Sequence, residues 1–156
     1  MKWLIIIIVL LAITYLVRPK RPVKVIGSFS DLSELLRDLM TANNPKASLI
    51  ADFMDSPHFI QFSGDEHGIQ VSMPLLTKAQ ISTKADLEKV CLNAGFASEI
   101  NARRDGSQAV GCHIKGNPEK VISTIEKITA KVFDVKKDDS VKFTLEGFNP
   151  NVTPNP

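Results

Sequence analysis

An α+β fold is what three features of this sequence predict: a transmembrane helix first, then a two-layer domain of mainly antiparallel sheet with helices on one face. The features are the apolar run from Trp3 to Val17, several short segments in which apolar and polar residues alternate, and three segments whose apolar residues recur at helical spacing. Together they give the order α-βββ-α-ββ-α-β after the anchor. The expected division is 1–17 anchor, 18–28 basic proline-containing tether, 29–147 single α+β domain and 148–156 disordered tail.

The anchor rests on fifteen residues, WLIIIIVLLAITYLV, which as a helix span about 22 Å against a hydrocarbon core of about 30 Å. Trp3 and Tyr15 stand where interfacial aromatics belong, and Lys2 and Arg18 extend the span by snorkelling. No small-x-small cleavage site follows, so the run reads as an uncleaved signal anchor. Arg18, Lys20, Arg21 and Lys24 outnumber the positive groups before the run, which places the C-terminal domain in the cytoplasm and the tether against anionic lipid. The alternative is an outward-facing or exported domain.

Of the nineteen Lys and Arg residues, five lie at or before Lys24, whereas all seventeen acids lie after it. From Val25 onward fourteen basic residues face seventeen acidic ones, a balance of −3 with no basic stripe, which argues against nucleic acid as a partner. Cys91 and Cys112 have no metal or redox spacing and are expected in the core.

The first helix is expected from about Asp31 to Thr41, with Leu32, Leu35, Leu36, Leu39 and Met40 on one stripe, Ser30 or Asp31 at the cap and Glu34 completing a box. Ala47 to Met54 reads as a strand, because the Asp55-Ser56-Pro57 turn and the aromatic-rich stretch from His58 to Ser63 then make a hairpin. Ile69, Val71 and Met73 alternate in a third strand. A second helix is expected with Thr83 as its cap and Leu87, Val90, Cys91 and Ala94 inward. Phe96, Ser98 and Ile100 open a fourth strand, the Asp105-Gly106 pair marks a hairpin, and Val110, Cys112 and Ile114 return. Asn117, Pro118 and Glu119 start the third helix, and Val141, Phe143 and Leu145 form a last strand.

From about Asp31 to Phe133 this element order resembles that of the type III secretion chaperones, α-βββ-α-ββ-α. The likeness is one of topology, without a shared residue motif, so it implies a fold and transfers no function.

Catalytic patterns are absent from the sequence: there is no GxSxG, HExxH, CxxC or phosphate-binding glycine loop, and no cofactor is expected. Cys112 and His113 are adjacent on a strand and so point to opposite faces, which prevents a nucleophile–base pair. The expected function is a non-enzymatic protein-interaction module on the inner face of the membrane, adaptor or chaperone-like, whose partners are the lipid bilayer and a protein or a second copy. Phe59 on the outer sheet face and Arg103 and Arg104 at a hairpin tip are its candidate contacts. The alternative is a small envelope-associated enzyme or metal-binding domain using His58, Asp65, Glu66 and His67.

Overall fold

The computed structural model describes residues 22–150 apart from 43, 55, 66 and 104. Among these residues it is an α+β fold of seven strands and three α-helices. Strands β1 (Val23–Ser28), β2 (Ser48–Phe53), β3 (Phe59–Asp65), β4 (Gly68–Pro74), β5 (Ser98–Ala102), β6 (Gln108–Lys115) and β7 (Ser140–Glu146) form one sheet. Its order is β1-β7-β2-β3-β4-β6-β5, antiparallel throughout. Helices α1 (Leu32–Thr41), α2 (Lys78–Asn93) and α3 (Pro118–Phe133) lie between strands in the chain, and α3 touches both others, so the three form one layer.

Period-two alternation explains why that layer covers a single face. The register aligns Leu145, Leu49, Phe62, Val71 and Cys112 across five strands, and each is buried. Leu32, Leu35, Leu36 and Leu39 of α1 and Val121, Ile122, Ile125 and Ile128 of α3 meet them from the helical side. Each large apolar side chain so enclosed contributes about 2 kcal/mol, which is what holds the layers together.

Helix α3 begins as its residues dictate. Asn117 Oδ1 accepts from the Lys120 backbone N–H at 2.9 Å, Pro118 occupies the first helical position, and Asp134 closes the helix in the left-handed conformation at φ 52°. The Arg37 guanidinium on α1 reaches the Glu119 carboxylate at 3.1 Å and ties the two helices at their exposed rim.

Several expectations are corrected. Val23–Ser28, read as tether, is an edge strand paired with β7; its Val-Lys-Val-Ile sequence is β-branched, and the pairing joins the two ends of the domain. Asp31 stands at the N-cap of α1 as expected but makes no box with Glu34: its carboxylate Oδ2 accepts from the Ser28 N–H at 2.8 Å, across a short 3-10 turn over Phe29–Asp31. The cap of α2 is Thr77, not Thr83. Thr77 Oγ1 accepts from the Gln80 N–H at 3.2 Å, and Gln80 Oε1 accepts from the Thr77 N–H at 3.1 Å. Thr83 instead donates its hydroxyl to the Ala79 carbonyl within the helix at 3.0 Å. Phe148, assigned to the tail, packs partly buried against the core.

The signal-anchor and single-pass membrane assignment is also corrected. Among the described residues no helix is long and apolar enough to cross a membrane. The two longest, α2 and α3, have 16 residues each and carry several charged side chains, short of the roughly 20 apolar residues a span requires. Trp3, Tyr15, Arg18, Lys20 and Arg21, on which the assignment rested, lie outside the described residues. The cytoplasmic orientation derived from that span goes with it.

Candidate interaction surface

The strand residues that point away from the helices build the second face of the sheet. Register places Ile26 opposite Lys142, Lys142 opposite Asp52, and Asp52 opposite Phe59, so these four make a row across β1, β7, β2 and β3. A neighbouring row runs Lys24, Thr144, Ile50, Gln61, Ser72, Gly111 and Glu99 from one edge of the sheet to the other. Since the three helices form one layer on the opposite side, this face is left uncovered among the described residues.

Its chemistry is mixed. Lys142 Nζ lies 2.8 Å from Asp52 Oδ2 in a half-exposed ion pair, flanked by the apolar side chain of Ile26, 61% exposed, and the half-buried ring of Phe59. Among the described residues β1 pairs only with β7 and β5 only with β6, so each keeps one unpaired edge of backbone donors and acceptors.

Phe59 therefore stands on the outer face, as its alternation with Ile60 and Phe62 suggested. Arg103 lies in the β5–β6 turn, half-buried, where its N–H donates to the Ser107 carbonyl at 2.8 Å; β4 and β6 separate it from the strand of Phe59. The two are not brought together, and Arg104 lies outside the described residues. In the same turn Asp105 Oδ1 accepts from the Ser107 N–H at 3.0 Å and hydroxyl at 2.6 Å, bonds that hold its carboxyl below the usual carboxylate range.

The alternative site comes apart along β3. His58 precedes the strand and His67 follows it, and seven residues at about 3.3 Å each put the ends roughly 20 Å apart. Glu66 lies outside the described residues, and among those described no group of three or more His, Cys, Asp or Glu is placed to hold a metal ion. The His58 ring instead packs tilted against Phe133, with centroids 5.5 Å apart, and burial pushes its pKa down.

A cleft of about 520 Å³ opens on the helical side between the start of α1 and the end of α3. Phe29, Ala130 and Val135 line its apolar part, and Lys127, Lys136 and Lys137 stand around them.

Sequence reading placed Lys142 on the polar side of its strand but missed Ile26, Asp52 and Ile50 as surface residues. The signal was present in the alternation of Ile26 with Val25 and of Asp52 with Ala51, but their alignment into rows depends on β7 lying between β1 and β2. Comparison of the chain with protein families, with curated proteins and with solved structures yields no match.

Proposed function

We propose that this domain is a non-enzymatic protein-interaction module, of adaptor or chaperone kind, that engages a protein partner or a second copy through the uncovered sheet face and the adjoining edge strand β1. The carrying observation is the row of Ile26, Lys142, Asp52 and Phe59, in which a largely exposed isoleucine stands at an unpaired strand edge beside a half-exposed ion pair. Apolar anchors flanked by polar groups suit protein recognition, and an unpaired edge can add a strand from a partner.

The test is site-specific photocrosslinking of the full chain from position 26, with position 127 on the helical side as control. An adduct of twice the chain mass from position 26 alone identifies a second copy. A discrete heavier adduct from that position identifies a partner, and equal labelling from both positions removes the reading.

A further inference from the structure

Two side chains with no part in the interaction surface carry a separate inference. Cys91 sits in the last turns of α2 and Cys112 in the middle of β6, 21 residues apart in the chain, and their Sγ atoms approach to 2.7 Å. Both are free thiols, and both are almost wholly enclosed. A disulfide needs about 2.05 Å, so a further approach of about 0.7 Å, well within the movement of two side chains, joins them.

The setting gives such a bond a consequence. Of the sixteen residues of α2 only Gln80, Leu87 and Cys91 are buried, while Ile81 and Leu92 are 55% and 69% exposed. A helix docked through so narrow a seam owes much of its hold to each member. Cys91 lies one turn beyond Leu87, and Cys112 stands opposite Val71 and Ser98 inside the sheet, so a covalent link would clamp α2 directly to the interior of the domain.

We propose that Cys91 and Cys112 form a reversible intramolecular disulfide that staples α2 to β6. The oxidant is a small-molecule disulfide such as oxidised glutathione. The Cys91 thiolate attacks one of its sulfurs, forming a mixed disulfide and releasing one glutathione thiolate. The Cys112 thiolate then attacks the Cys91 sulfur, forming the Cys91–Cys112 bond and releasing the second. Two cysteine thiols are oxidised, one external disulfide is reduced to two thiols, and the two protons pass to the released thiolates. The same exchange with the two cysteines in opposite roles gives the same bond, because the oxidant reaches them in the unfolded chain and folding then brings the second sulfur to the mixed disulfide.

The experiment refolds the full chain from denaturant in parallel in oxidised and in reduced glutathione, so that burial does not limit access. Each sample is quenched in acid, alkylated under denaturing conditions and weighed intact. The expected result is a monomer two mass units lighter and without alkyl groups from the oxidised sample, and two alkyl groups from the reduced one. The native oxidised form should be favoured in its folding equilibrium on the order of a few hundred-fold by closure of a loop this long. Amide exchange in α2 should slow in parallel, and Cys91→Ser and Cys112→Ser should each abolish the mass loss. Two alkylated thiols, a stable glutathione adduct or a crosslinked dimer from the oxidised sample would each overturn the proposal. So would oxidised and reduced forms that melt together. The wild-type mass measurement decides even where a serine variant does not fold.

Discussion

Lys142 and Asp52 stand directly opposite each other on β7 and β2, with Nζ 2.8 Å from Oδ2, and their ion pair separates Ile26 from Phe59 on the uncovered face. Both side chains are 39% exposed, so water screens the pair and its contribution to folding is small. Lys142→Met should lower stability by no more than about 1 kcal/mol in urea unfolding, and Lys142→Glu, which sets like charges across the ladder, somewhat further. A loss several times larger would mean that the pair organises the sheet instead of decorating it.

At Gly111 the backbone of β4 leaves no room for a side chain on β6. A Cβ there would collide with the Val71 carbonyl oxygen and come within 3.0 Å of Ser72 Cα, and both obstacles are backbone. Gly111→Ala should therefore cost about 2 kcal/mol or more, since the two strands must part to admit the methyl group. Chemical denaturation monitored by circular dichroism reads this directly; an unchanged midpoint would mean the strands separate easily.

The start of α2 separates two threonines that look alike in the sequence. Thr77→Ala removes the acceptor for the Gln80 N–H and should cost about 1 kcal/mol, whereas Thr83→Ala removes only a hydroxyl that bonds back to the Ala79 carbonyl. Thermal melts of the two variants should rank Thr77→Ala clearly lower.

Burial against Phe133 lowers the pKa of His58 from its ordinary value of 6.5. The unfolded chain then takes up a proton at a pH where the folded domain still resists it. The sign follows: stability associated with neutral His58 is complete above about 6.5 and declines as pH falls through the folded-state value. His58→Leu keeps an apolar contact and cannot titrate, so its melting temperature should fall less than that of the wild type between pH 7 and pH 5. Equal declines would assign the acid sensitivity to other groups.

The order of elements from Leu32 onward was legible in the sequence by itself, and so were the inward residues of the strands and of α1 and α3, whereas Ala94, expected inward on α2, is exposed just past its end. The patterns that reveal them are local: Val141, Phe143 and Leu145 repeat every second residue, Leu32, Leu35, Leu36 and Leu39 repeat on one helical stripe, and Asn117-Pro118-Glu119 supplies a cap, a first-turn proline and a first-turn acid just before the apolar stripe of α3. Helix α2 resisted because Ile81 and Leu92 are apolar but exposed while Gln80 is polar but buried, so its periodicity is blurred. Tertiary structure alone decided that Val23–Ser28 is a strand, since its partner β7 lies more than a hundred residues away and the hydrogen bonds between them leave no mark on either segment. It likewise decided the two rows of the open face and the meeting of Cys91 with Cys112. A side chain's direction is set by the backbone beneath it, within a few residues. Its neighbour across a sheet or between layers is set by how the whole chain packs, and no local pattern encodes that.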